Sequence, residues 1–282
     1  MDLGIFDVGH GFCGLLRADN GNTMLFDCGS DATKGVKPSS LLRRIGCREV
    51  HLLFISNYDE DHLSGLPELL ASPDLKVRCL YRNRSVDAST LMFMKLSKGP
   101  LGPGAESMAG MIGSYTSDVP AWQMPIFPGI QWRNFCNPYP LFTDENNLSL
   151  VTFVHYENIR IVFPGDLEET GWRELLRLPE FRRELAQVNV FIASHHGREN
   201  GYCEQVFKYC WPEIIVVSDD QKAFDTQETV DRYRQHARGV RFTDGKMRYV
   251  LTTRRDGMIC FHQNPGDSFG WVYLPEARVS QN

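Results

Sequence analysis

Between Ser56 and His62 the chain reads Ser-Asn-Tyr-Asp-Glu-Asp-His, which sets three carboxylates and an imidazole on four consecutive residues. The preceding run, residues 50–55, is apolar and reads as a buried strand. Carboxylate oxygens mixed with an imidazole nitrogen suit zinc or manganese better than calcium. Asp59 and Asp61 lie two apart, so in an extended backbone both side chains would project to one side and serve a common ion. An acidic surface turn would show the same composition.

Two later segments repeat the pattern. Residues 159–163 form an apolar run ending in Phe163-Pro164-Gly165-Asp166, and residues 188–193 form another ending in Ser194-His195-His196-Gly197. A Gly-Asp pair alone is usually a turn, and paired histidines are often surface residues. Three strands that each end in metal-competent side chains are harder to explain separately, because α/β folds build sites where strand ends converge. The candidate ligands are Asp59, Asp61, His62, Asp166, His195 and His196.

The order D-x-D-H, G-D, H-H-G resembles the metallo-β-lactamase fold, and within it the metallohydrolase domain of ComEC-type competence proteins. Phe6-Asp7-Val8-Gly9-His10-Gly11 looks like that group's opening D-V-G-Q-G, with His10 where Gln is usual. Leu25-Phe26-Asp27-Cys28-Gly29 is similar to its D-x-G strand, residues 56–65 to its S-H-x-D-x-D-H-x-x-G, and Asn146-Asn147-Leu148-Ser149-Leu150-Val151 to its N-x-x-S-L-V. The resemblance covers roughly residues 1 to 262. It implies an α/β architecture, an αββα sandwich of two mixed sheets flanked by helices, and hydrolysis by metal-activated water. It assigns catalytic roles to Asp59, Asp61 and Asp166, with Asp59 as a ligand or as acceptor of the water proton. Asp27 would orient the ligands, Asn146 and Ser149 would face the site, and His10 would either sit behind the ligands or face solvent.

Departures from the pattern bear on the metal count. Asn57 stands where the family places a histidine, the Asn146–Ser149 segment stands where many relatives have another, and a later histidine is missing around residues 218–225. One metal position would keep Asp61, His62, Asp166 and one of His195 and His196. The other would keep Asp59 and Asp166, with the weak amide oxygen of Asn57. The expectation is one tight divalent ion, zinc or manganese, and a second that is weak or absent.

The elements that must position these residues can be read from periodicity. Short strands are expected at 3–7, 12–17 and 23–27, a helix at 38–45, and a helix carrying Leu63, Leu66, Leu69 and Leu70. A further strand is expected at 77–81, a hairpin at 148–155 and 158–163, and a helical stripe at Trp172, Leu175 and Leu176. Strands follow at 188–193, 213–218, 248–253 and 257–262, the last two joined across 254–256. Asp225 and Glu228 have the spacing of a capping box ahead of Val230, Tyr233 and Ala237. Residues 83–142 are rich in Gly, Pro, Ser and Met and read as an irregular insertion, partly helical at 88–96, that either reaches over the metal face or only connects. Residues 264–282 read as a surface tail.

With 42% hydrophobic and 23% charged residues in a 282-residue chain, the expectation is one ordinary globular domain over 1–282. No apolar run is long enough to cross a membrane, so a cytoplasmic protein is expected. Eight cysteines scattered without a C-x-x-C read as reduced core residues. A net charge of −5 gives no global footprint for nucleic acid, so phosphate contacts would have to be local. Arg82, Arg84, Arg198 and Lys222 are candidates, and Arg198, beside the H-H-G turn, is placed to meet a substrate oxyanion. Three functions fit: a phosphodiesterase or nuclease acting on DNA, a hydrolase of a small ester, lactone or thioester, and a binding or regulatory subunit with a degenerate metal site, suggested by Asn57. The first suits carboxylate-rich, hard ligation, with nucleic acid or another phosphodiester as substrate and a protein partner left open.

Overall fold

The computed structural model describes residues 1–220 and 229–275. Apolar residues on consecutive strand positions point to two different cores, and this sets the layering. Leu52 and Phe54 face one core while Leu53 and Ile55 face another, and Ile214 and Val216 oppose Ile215 and Val217 in the same way. Strands buried on both faces need cover on both faces. The cover is a second sheet on one side and helices on the other.

The first sheet runs in the order Trp271–Tyr273, Ile259–His262, Asp2–Ile5, Gly14–Arg17, Thr23–Phe26, Glu49–Phe54, Lys76–Tyr81. The second runs Val250–Thr252, Ile214–Val217, Val190–Ile192, Ile159–Phe163, Val151–Tyr156, Ile130–Phe135. Both are mixed: Thr23–Phe26, Glu49–Phe54 and Lys76–Tyr81 are mutually parallel, as are the first four strands of the second sheet, and the remaining pairs are antiparallel. Helices Pro38–Arg44, Leu66–Ala71, Ala88–Leu96 and Pro103–Ser114 cover the outer face of the first sheet, and Glu169–Leu175, Pro179–Leu185 and Val230–Arg234 cover that of the second. The result is a helix–sheet–sheet–helix sandwich.

The core between the sheets has an aromatic spine. Phe26 and Phe54 are register partners, and so are Phe54 and Tyr81. Their rings stack at 4.9 Å and 4.7 Å, and Phe163 from the other sheet stacks on Phe26 at 4.1 Å. These rings sit on the last residues before the strand ends that carry Asp27, Ser56 and Asp166, so the spine sets the spacing of the two sheets directly beneath those side chains.

Several expectations are corrected. Residues 83–142 contain two packed helices and the strand Ile130–Phe135, not only irregular chain. Helix Pro103–Ser114 forms despite three internal glycines because the Glu60 carboxylate accepts from the amides of Gly104 and Ala105, at 2.7 Å and 3.3 Å. Residues 250–252 and 259–262 are not a hairpin: the turn Thr253–Asp256 carries the chain from one sheet to the other. Trp271–Tyr273 adds an edge strand where a tail was expected. Asp225, Glu228 and Lys222 lie outside the described residues. The eight cysteines are free thiols. Among the described residues no helix is long and apolar enough to cross a membrane.

Truncating the inter-sheet ring of the spine should leave a cavity that the two sheets cannot close. Phe163→Ala should cost about 3–5 kcal/mol in urea unfolding, and a loss below about 1 kcal/mol would show that the spine does not set the sheet spacing.

Candidate metal centre

Five strand ends meet at one edge of the sandwich and carry Asp27, Ser56, Asp166, Ser194 and Ser218 into the loops beyond. Asp61, His62, Asp166 and His196 bring one ligand atom each to within 4.8 Å of one another. His62 Nε2 lies 3.0 Å from Asp166 Oδ1, and His196 Nε2 lies 3.5 Å from the same oxygen and 3.3 Å from Asp61 Oδ2.

Local backbone features aim each of these side chains. Asp27 sits in the left-handed region at φ 55°, and its carboxylate accepts from Ser56 N at 2.6 Å, Ser56 Oγ at 2.5 Å and His62 Nδ1 at 2.8 Å. The last contact turns His62 Nε2 toward the centre. His196 Nδ1 donates to the Ser218 carbonyl at 3.0 Å, which aims its Nε2 the same way. Gly165 has φ 61°, and a Cβ there would fall 2.7 Å from Ser56 Oγ, so only glycine allows the two sheets' loops to approach this closely. Ser149 Oγ accepts from Asp166 N at 3.1 Å. His195 and His196 both take left-handed conformations, φ 50° and 53°, which separates two neighbouring rings.

Of the six candidate ligands, the structure brings four together. Asp59 does not join them. The reading of Asp59 and Asp61 as an extended pair fails because a helical turn, Glu60–Leu63, begins immediately after Asp59 and sends the two side chains different ways. The Asp59 carboxylate is instead held by Lys95 of the insertion. His195 stands outside the four, with Nε2 3.9 Å from Asp166 Oδ2. Arg198 bridges the mouth, its Nη2 2.7 Å from His10 Nε2 and its Nη1 3.3 Å from His195 Nε2. The ring of His10 lies 4.7 Å from that of His196 and its Nε2 3.8 Å from Asp61, so this turn histidine faces the cluster. Asn57 donates to Asn146 Oδ1 at 3.1 Å, and Asn146 donates to Glu168 Oε1 at 3.0 Å. Lys95 and Glu168 had no local signal, because both meet the site through chain segments distant in sequence. Arg82 is turned inward to the carbonyls of Asn83 and Val86, and Arg84 pairs with Asp118.

The electrostatics are those of a buried charge cluster awaiting compensation. Burial alone would raise Asp166, but His62 and His196 hold its carboxyl well below the usual range. Burial likewise opposes Asp61, and His196 and His62 reverse it, leaving a value of about 2. Burial works against charging His62, yet Asp166 and Asp27 hold it well above the usual imidazole range, and Asp166 and Asp61 raise His196 against the same penalty. His195 and His10 are pushed down chiefly by burial, His10 to about 4. Phe12, Phe26, Phe54 and Phe163 line the same small cavity as Asp27, His62, Asp166 and His196, so little solvent screens these charges.

The four donors fit a divalent ion. His196 Nε2 is buried and makes no hydrogen bond while aimed at two carboxylates. Two imidazole nitrogens and two carboxylate oxygens, each imidazole fixed through its other nitrogen, are a donor set suited to zinc or manganese.

A family model for the metallo-beta-lactamase superfamily matches residues 6–202. The chain belongs to the metallo-beta-lactamase superfamily. No curated protein matches the sequence. Among solved structures it is similar to the short form of human tRNase Z, with 16% identity over 79% of this chain and 94% of that one and a TM-score of 0.41. It is also similar to a diphosphatase of the PhnP family, with 11% identity over 93% and 98% and a TM-score of 0.46. Zinc-bound PqqB from Methylobacterium extorquens shares 12% identity over 68% and 72%, with a TM-score of 0.36. At these scores the likenesses add nothing to the functional argument. Superfamily membership and the four-donor cluster support a metal-dependent hydrolase.

The shifts set the pH response of the metal-free chain. His62 and His196 are raised on folding, so their contribution is full below about 6.5 and is lost as pH rises through their folded values. Asp61 and Asp166 are depressed, so theirs is present above about 3.9 and lost as pH falls through the folded values. Chelator-treated protein should therefore melt at falling temperature as pH rises above neutrality, and added zinc or manganese should reverse the trend, because deprotonation frees the ligands. A metal-free melting temperature that climbs over the same range would contradict the charge assignment.

Proposed function

We propose that the protein is a metal-dependent phosphodiesterase whose substrate is nucleic acid, DNA foremost, and that it works with one tightly held zinc or manganese ion. The observation that carries the reading is a guanidinium fixed beside a carboxylate-rich centre: Arg198 stands between His195 and His10, whose Nε2 atoms lie 3.9 Å from Asp166 and 3.8 Å from Asp61. Hard oxygen ligation leaves an ion suited to phosphate oxygens, and a guanidinium matches a phosphate's geometry. The resemblance of the D-V-G, D-x-D-H and N-x-x-S-L-V segments to ComEC-type domains supports the same substrate class.

Asp61, His62, Asp166 and His196 would hold the ion. When bound, it would polarise a phosphoryl oxygen and make water a stronger nucleophile at neutral pH. The chain's own residues do the rest. Asp27 and the Ser218 carbonyl keep the two imidazoles aimed, and Ser149 anchors the Asp166 backbone. Arg198 supplies positive charge where the phosphoryl group gains negative charge. His195, pushed down by burial, accepts from Arg198 through Nε2 and so helps hold that guanidinium in place. The apolar floor of phenylalanines keeps bulk water from beneath the centre.

A second reading, a binding subunit with a weakened site, draws on the amide pair of buried Asn57 with half-buried Asn146. The two separate in one assay series on single- and double-stranded DNA, RNA and a generic phosphodiester, with added manganese or zinc. Arg198→Ala should lower phosphodiester turnover on the order of 10²-fold with metal content retained. A small-ester hydrolase would lose much less at Arg198. Metal-loaded protein that cleaves none of these substrates would overturn the proposal.

A further inference from the structure

The family's second metal position is not merely short of a histidine in this chain: every donor left there is engaged. The amide oxygen of Asn57 accepts from Asp59 N at 2.8 Å, and its Nδ2 donates to Asn146 Oδ1 at 3.1 Å. The Asn146 amide then donates to Glu168 at 3.0 Å, and Asn200 donates to the same Glu168 oxygen at 2.6 Å. Thus the Asn57 oxygen is taken by its own turn and the Asn146 oxygen by Asn57. Asn57 is fully buried, so the pair is fixed in place. The remaining carboxylate, Asp59, is taken by the ammonium of Lys95.

Lys95 is itself held firmly. Its side chain is 13% exposed, and its Nζ lies 3.4 Å from Oε1 of Glu145, a carboxylate that is 1% exposed. Lys98, one turn on in sequence, holds the other Glu145 oxygen. Both lysines come from the helix Ala88–Leu96 or the residues just after it, in the insertion. The insertion therefore delivers one half-buried positive charge to the carboxylate that a second ion would use.

We infer that Lys95 takes the place of the second metal ion, answering Asp59 with an ammonium so that the centre holds a single ion. The inference deepens the phosphodiesterase reading and rests on it for the substrate class, but not for the metal count. An ammonium at Asp59 neutralises that carboxylate and leaves donor hydrogens for a phosphate oxygen, which is the charge work of a second cation without its coordination demands.

The test is manganese stoichiometry by equilibrium dialysis and elemental analysis, with no substrate present. Wild type should hold about one ion per chain at saturation. Asn57→His with Asn146→His should still hold about one while Lys95 remains, and adding Lys95→Met should raise it to about two. Lys95→Arg in that double-histidine background should stay at about one, since it keeps the charge. Inorganic phosphate should bind manganese-loaded Lys95→Met on the order of tenfold more weakly than wild type. Two ions in wild type, two in the double-histidine variant with Lys95 present, or one in the variant lacking Lys95 would each overturn the inference. A chain that holds one ion yet cleaves no phosphodiester would sink the proposed function and leave this inference standing, whereas a nuclease with two ions in wild type would do the reverse.

Discussion

The carboxylate of Asp27 is the contact on which the site depends. It is buried, it sits on a backbone twisted into the left-handed region, and it accepts three hydrogen bonds, two from Ser56 and one from His62. Those bonds tie the end of Thr23–Phe26 to the loop after Glu49–Phe54 and fix which nitrogen of His62 faces the centre. A buried carboxylate is tolerated only when its charge is answered. Here the answer is an imidazolium that is itself shared with Asp166, so the charges form a chain, Asp27 to His62 to Asp166 to His196 to Asp61, in which each member makes the next affordable.

That chain spans the two sheets, and the apolar core beneath it makes the span possible. Asp27, Ser56 and His62 belong to the first sheet's edge; Asp166 and His196 belong to the second's. The stack of Phe163 on Phe26 sets how close those edges come, and Gly165 lets the Asp166 loop settle against Ser56. Packing thus sets the geometry, and the low-dielectric floor makes the resulting electrostatics strong. The same logic places the insertion: Glu60, within the metal loop, holds the start of one insertion helix, while Lys95 of the other holds Asp59.

Much of this was legible in the sequence because the chemistry is concentrated at strand ends. Asp61, His62, Asp166 and the His195-His196 pair each follow an apolar run, and the alternating apolar residues within those runs report the sandwich. What could not be read has specific causes. Choosing His196 over His195 requires two successive left-handed residues, a conformation that sequence spacing does not reveal. Asp59 looked equivalent to Asp61 because the two-residue period holds only for extended chain, and a helix starts between them. The insertion read as irregular because it is rich in glycine and proline, whereas helix Pro103–Ser114 draws its start from Glu60, more than forty residues earlier. The edge strand Trp271–Tyr273 depends on its pairing with Ile259–His262, a tertiary contact rather than a local preference.

The central claim is that one divalent ion sits among Asp61, His62, Asp166 and His196. X-ray absorption at the metal edge of the purified, metal-loaded protein tests it most directly. The account predicts a first shell of nitrogen and oxygen only, at about 2.0–2.2 Å for zinc, with the multiple-scattering signature of two imidazoles. A sulfur scatterer at about 2.3 Å, a shell without imidazole, or three or more imidazoles would contradict it.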